Sequence, residues 1–134
     1  MTALVDIEGI GEVYAEKLKA AGISSVEKLL EAGSTPKGRE DLAKQTGISK
    51  DLILKWVNRA DLYRVKGIGS EYSDLLEAAG VDTVVELAQR NPEALYKKLE
   101  EVNAEKKLVR RMPTPAQVTE WVESARQLPR AVHY

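Results

Sequence analysis

The sequence predicts an all-α fold made from one unit used twice. Three observations carry this prediction. Apolar residues recur at helical spacing between cap-like starts and glycine stops, with no sustained strand alternation. The phrase Ile7-Glu8-Gly9-Ile10-Gly11 returns as Val65-Lys66-Gly67-Ile68-Gly69, and the register then holds. Tyr14 answers Tyr72, Leu18 answers Leu76, Ala21-Gly22-Ile23 answers Ala79-Gly80-Val81, Val26 answers Val84 and Leu29 answers Leu87. Self-similarity at a fixed offset marks a duplicated structural unit. Finally, there is no Phe, and the aromatics are two Trp and five Tyr. The core must then be built from Leu, Val, Ile and Ala, which suits packed helices.

The elements follow in order. Glu12 to Ala21 reads as a helix with Val13, Leu18 and Ala21 facing inward, and Gly22 supplies its left-handed stop. Ser24 with Glu27 has the spacing of a capping box for Val26 to Ala32, which Gly33 closes. Pro36 suits the first turn of a third helix that reaches about Thr46 and stops at Gly47. Ser49 caps Lys50 to about Tyr63, whose broad apolar face carries Leu52, Ile53, Trp56 and Val57. In the second copy, Ser70 to Ala79 ends at Gly80, and Thr83 with Glu86 repeats the capping-box spacing. Asn91-Pro92 starts a helix that runs to about Val102. Trp56-Val57 has its counterpart in Trp121-Val122, farther along than the glycine offset requires. Copy two therefore carries an insertion, placed at Val109 to Pro115. Thr114-Pro115 with Gln117 opens the last helix, Pro115 to about Gln127, and Pro129 ends it.

No linker separates the copies, because the Lys50 to Tyr63 helix runs almost directly into the second glycine phrase. The expected organisation is a first unit over 1–62, a second over 63–128 and a tail over 129–134, joined in one compact pseudo-twofold body. Ile10, Leu18, Leu29, Leu42, Trp56, Ile68, Leu76, Leu87, Leu99 and Trp121 are the expected core.

A Gly-Ile-Gly phrase with an apolar residue two positions before the first glycine and helices on both sides resembles the helix-hairpin-helix motif. Its copies here are Ile7 to Leu18 and Val65 to Leu76. The longer pattern adds Tyr14 or Tyr72 three residues after the second glycine, and Ala-Gly-Ile or Ala-Gly-Val downstream. That pattern is similar to the uncharacterised bacterial family DUF4332. The resemblance implies two helix-hairpin-helix (SAM-like) units. It also implies that a hairpin can hold backbone phosphates of duplex DNA without reading bases.

The chemistry behind that implication is simple. Glycine admits positive φ and leaves backbone N–H groups uncovered. Those groups stand at the positive end of the following helix, where an oxyanion is stabilised. Hairpin one is poorly suited, because Glu8, Glu12 and Glu16 place carboxylates around its glycines. Hairpin two is better placed. Arg64 and Lys66 precede Gly67, Ile68 and Gly69, and Ser70 follows with a hydroxyl. Arg110 and Arg111 in the insertion have no acidic neighbour between Met112 and Thr119 and add a further candidate contact. The bland reading is equally concrete. A glycine hairpin joins two helices at a steep angle, with Ile10 or Ile68 plugging the core.

Composition narrows the field further. Charged residues make up 31% of the 134 residues but leave a net charge of only −1, so there is no bulk attraction toward nucleic acid or anionic membrane. The basic run Lys97, Lys98, Lys106 and Lys107 is interleaved with Glu93, Glu100, Glu101 and Glu105, which pair on a helix face. With no cysteine there is no thiolate nucleophile, disulfide or zinc-thiolate site, and the absence fits the cytoplasm. No apolar run approaches the roughly 18 residues of a membrane span, and Met1 to Glu8 lacks the pattern of a signal peptide. His133 is the only histidine, half a haem or metal site at best unless two copies meet at a dimer interface. No nucleophile elbow or P-loop is present. The sequence therefore predicts no enzyme, no cofactor and no resident metal. Two readings stand: a sequence-nonspecific nucleic-acid module led by hairpin two, or a protein-interaction or self-association module with purely structural hairpins. The motif's usual employment favours the first, and the near-neutral charge favours the second.

Overall fold

The computed structural model describes residues 2–134, and among them every regular element is helical. A short 3₁₀ turn at Leu4–Asp6 precedes α1 (Glu12–Ala20), α2 (Val26–Ala32), α3 (Pro36–Thr46) and α4 (Lys50–Leu62). The second series is α5 (Ser70–Ala78), α6 (Val84–Ala88), α7 (Pro92–Lys106) and α8 (Pro115–Gln127). Contacts divide the chain into two units. Unit one runs to Asp61 and includes Ala131–Tyr134, and unit two is Leu62–Arg130.

The repeat is visible in the hydrogen bonds. The Ile23 N–H donates to Leu18 O (2.9 Å) and that of Gly22 to Lys19 O (2.9 Å). In unit two, Val81 donates to Leu76 O (2.8 Å) and Gly80 to Glu77 O (2.9 Å). This is the Schellman arrangement, which satisfies the last carbonyls of α1 and α5 and turns the chain toward the next helix. Its apolar partners Leu18, Ile23, Leu76 and Val81 are all buried. Thr35, Asn91 and Thr114 cap α3, α7 and α8, each followed by proline in the first turn. Thr114 and Gln117 form a full capping box. Ser49 Oγ accepts from the Leu52 N–H at the start of α4 (3.2 Å).

In unit one, α3 packs on both α1 and α2. In unit two, α8 packs on α6 and α7, and α7 on α5. Every residue of the expected core is buried. The unit-two core gathers Leu62, Ile68, Leu76, Leu87, Leu99 and Trp121 in one cluster. Burying a Leu or Trp of this kind stabilises by about 1.5–3 kcal/mol each.

Four local expectations are corrected. Val13 does not face inward and is 68% exposed. The buried stripe of α1 is Ala15 and Leu18, so Val13 lies on the opposite side of the helix. Its counterpart in copy two is Glu71, also exposed. The cap of α2 is Ser25, which accepts from the Lys28 N–H (3.2 Å), rather than Ser24. Glu27 is thereby left to accept from the Thr2 N–H (2.8 Å), a bond that holds its carboxyl below its ordinary pKa. Helix α7 continues past Val102 to Lys106 and ends with Lys107 left-handed (φ 50°).

The last correction concerns the segment after α8. Residues 131–134 belong to unit one, with Val132 3% exposed. The His133 N–H donates to Ser34 O (2.7 Å), and the Tyr134 hydroxyl donates to Asn58 Oδ1 (3.0 Å). Arg39 organises this corner. Its guanidinium donates to Gly33 O (2.8 Å) and His133 O (2.7 Å), and it lies 5.9 Å from the Tyr134 ring centre. Arg39 is only 6% exposed, and burial pushes its pKa down. Arginine remains charged at any physiological pH regardless.

Candidate functional site

The two glycine phrases fold alike. The Ile10 N–H donates to Ile7 O and the Ile68 N–H to Val65 O, both at 3.1 Å. The third residue of each turn is glycine with φ 94°, Gly9 and Gly67. That is the pattern of a type II turn, where a side chain at the third position is strained. Ile10 (3% exposed) and Ile68 (4%) then point into the core. Gly11 and Gly69 stand extended at the N-caps of α1 and α5, and neither helix has a side-chain cap. A Cβ at either glycine would meet nothing within 4 Å, so open space lies over both helix starts.

Each turn rests on a tryptophan from the last helix of its copy. A Cβ on Gly9 would lie 3.4 Å from Trp56 Nε1, and one on Gly67 would lie 3.1 Å from Trp121 Nε1. Tyr14 packs against Trp56 with ring centres 5.1 Å apart, and Tyr72 packs against Trp121 at 5.2 Å. Tilted pairs at this distance add about 0.5–1.5 kcal/mol beyond area burial. The repeated Gly, Tyr and Trp therefore form one packing device.

Around the second turn, the candidate residues have different fates. Lys66, Gly67 and Gly69 are exposed and Ser70 is half-buried at the start of α5. The Ile68 amide is occupied by Val65 O. Arg64 is also engaged, its guanidinium donating to Pro129 O (2.9 Å). Arg110 and Arg111 are exposed, and the Tyr72 hydroxyl donates to Arg111 O (3.1 Å), which ties the insertion to the first turn of α5. The insertion is anchored again where Asn103 brackets Val109, accepting from its N–H (3.0 Å) and donating to its carbonyl (3.2 Å).

Sequence reasoning missed the contribution of α8. A cleft of about 390 Å³ lies against the turn, with Lys66 and Gly67 on one side and Gln117, Glu120, Glu123, Ser124 and Gln127 from α8 on the other. Trp121 lines it as well. Spacing of three and four residues puts these polar groups on one face of α8, so that signal was present. Which turn the face would meet was not. Glu71, in the first turn of α5, adds a carboxylate near the same helix end.

Unit one lacks this balance. Glu8 and Glu12 are exposed where Lys66 and Ser70 stand in unit two. Apolar side chains are exposed nearby instead, Val13 at 68% and Val5 at 52%. The side chain of His133 is exposed, and among the described residues only its backbone is bonded. Among the described residues, no group of three or more His, Cys, Asp or Glu side chains could hold a metal ion. No helix among them is long and apolar enough to cross a membrane.

No curated protein and no solved structure matches the chain. A family does match, over residues 8–128, which takes in the glycines of both turns, both tyrosine–tryptophan pairs and the insertion. The chain belongs to that family, the domain of unknown function DUF4332.

Proposed function

We propose that this chain is a non-catalytic binding module whose second unit grips the phosphate backbone of nucleic acid without reading its sequence. The observation that carries this reading is the uncapped start of α5 under open space, with exposed Lys66 immediately before the turn. A helix start of this kind stabilises a nearby anion by about 0.3–1 kcal/mol when exposed. Lys66 adds a point charge, and Arg110 and Arg111 extend the positive rim through the Tyr72 tether. Arg64 braces the chain at Pro129. A cysteine-free, nearly neutral chain is consistent with work in the cytoplasm.

The test is duplex DNA binding at about 50 mM and about 200 mM salt, where counterion release weakens phosphate contacts steeply. Wild type is expected to bind at the lower salt and lose affinity at the higher. Lys66→Glu is expected to lose most low-salt binding. Equal binding by Lys66→Glu, or none by wild type, overturns the reading.

A second reading draws on unit one. Val5 and Val13 are exposed beside an acidic turn, a surface suited to a protein partner or to self-association. Concentration-dependent light scattering that disappears in Val13→Glu would support it, and a strict monomer in both proteins would oppose self-association.

A further inference from the structure

The cleft beside the second turn has a chemistry that phosphate alone does not use. Two of its lining groups, Glu120 and Glu123, are carboxylates three residues apart on α8. As carboxylates they only accept hydrogen bonds, and they repel a phosphate. The same cleft is lined by two donors, the Lys66 ammonium from the turn and the indole of Trp121, which shares α8 with the carboxylates. Trp121 is 2% exposed, and its Nε1–H finds no acceptor among the described residues. It is not sealed off, since among those residues no buried side-chain nitrogen or oxygen lacks a partner. The indole N–H therefore opens into the cleft it lines, directly under Gly67. A buried aromatic that keeps one donor open in a cleft shared with an ammonium and two carboxylates calls for a ligand that carries both acceptors and neutral hydroxyl donors.

We propose that the cleft takes the ribose of a nucleotide whose phosphate sits at Lys66 and the start of α5, so that unit two prefers RNA to DNA. This rests on the phosphate-gripping reading above and names the kind of nucleic acid gripped. The phosphate oxygens take the Lys66 and α5 donors, and Trp121 Nε1–H donates to a sugar or phosphate oxygen. The 2′-hydroxyl donates to Glu120 or Glu123, a charge-assisted bond that deoxyribose cannot make. The volume, about 390 Å³, falls in the range of about 300–1,000 Å³ typical of small-ligand sites. The two carboxylates also keep a second phosphate out of the cleft, which fixes which part of the nucleotide enters.

The experiment uses the full chain and one single-stranded oligonucleotide sequence, prepared as RNA and as DNA, at low salt. RNA is expected to bind about tenfold tighter, the effect of one hydrogen bond to a charged acceptor. In Glu120→Ala/Glu123→Ala, DNA is expected to bind more tightly than to wild type, because repulsion is gone. The RNA preference is expected to fall to within about twofold. Both residues are exposed on α8, where alanine is well tolerated. Equal RNA and DNA binding that still depends on Lys66 overturns the ribose assignment and leaves the phosphate grip standing. An RNA preference unchanged in the double variant also overturns it. Binding of neither oligonucleotide overturns the ribose assignment, and the duplex measurement above then decides the phosphate grip on its own.

Discussion

The two glycine turns are the same piece of architecture set in different electrostatic surroundings, acidic at the first and mixed at the second. Both put glycine at φ 94°, both plug the core with isoleucine, and both seat the turn on a Trp held by a Tyr. The first is rimmed by Glu8 and Glu12, the second by Lys66 and Ser70. The comparison separates two roles that the motif merges. What repeats builds the turn and its tryptophan seat, and what differs sets the charge around them. The same logic applies at the end of the second helix in each copy. Arg39 holds the carbonyl of Gly33 from a buried position, whereas Arg126 reaches Ala88 O (3.1 Å) and Arg90 O (3.5 Å) from an exposed one.

The largest expected effect tests whether the repeated device is equivalent in both units. Trp56→Ala and Trp121→Ala should each destabilise by about 3–5 kcal/mol, as for other buried aromatics. Denaturant unfolding combined with hydrogen exchange would place each loss in its own unit. A loss confined to one of the two would break the equivalence. Next, Arg39→Ala should cost about 2–4 kcal/mol, because one buried and one partly buried carbonyl lose a charged donor. Arg126→Ala, at an exposed site, should cost less than about 1 kcal/mol. Equal losses would show that burial is not what distinguishes these arginines.

Smaller effects sharpen the turns themselves. Gly67→Ala and Gly9→Ala should each cost about 1–2 kcal/mol from left-handed strain. Gly67→Ala should be the worse, since its methyl would press closer to the indole nitrogen, 3.1 Å against 3.4 Å. The smallest effect is acid sensitivity in unit one. Glu27 has a lowered pKa in the folded protein because its carboxylate accepts from the Thr2 N–H. Its contribution is present above the ordinary carboxylate pKa and is lost as pH falls through the lowered value. Unfolding followed across pH 3 to 6 should show a shallower acid loss in Glu27→Gln than in wild type.

Much of the fold was legible because local signals agreed with one another. The prolines after Thr35, Asn91 and Thr114, and the glycines after α1 and α5, each mark an end through backbone chemistry that needs no tertiary context. Val13 was misplaced because α1 is short and its apolar residues do not form a single stripe; only packing decides which side is inward. The cap expected at Ser24 falls one residue later, on the identical side chain of Ser25, because of where the chain enters α2. The site was legible only in part. Lys66 and the glycines sit together in sequence, so their proximity was certain. The approach of Glu120, Trp121 and Glu123 was not, because it depends on how α8 packs in unit two. The burial of Arg39 and the return of residues 131–134 to unit one are long-range events of the same kind.

The central claim is that the second turn, beside Lys66, accepts an anion, whereas the carboxylates of Glu8 and Glu12 turn one away from the equally open first turn. Amide and indole NMR signals of the full chain, followed during titration with a short oligonucleotide at low salt, test this most directly. The account predicts shifts at Gly67, Gly69, Ser70 and Trp121 Nε1–H, with Gly9, Gly11 and Trp56 unmoved. Equal shifts at both turns, or shifts at the first turn alone, would contradict it.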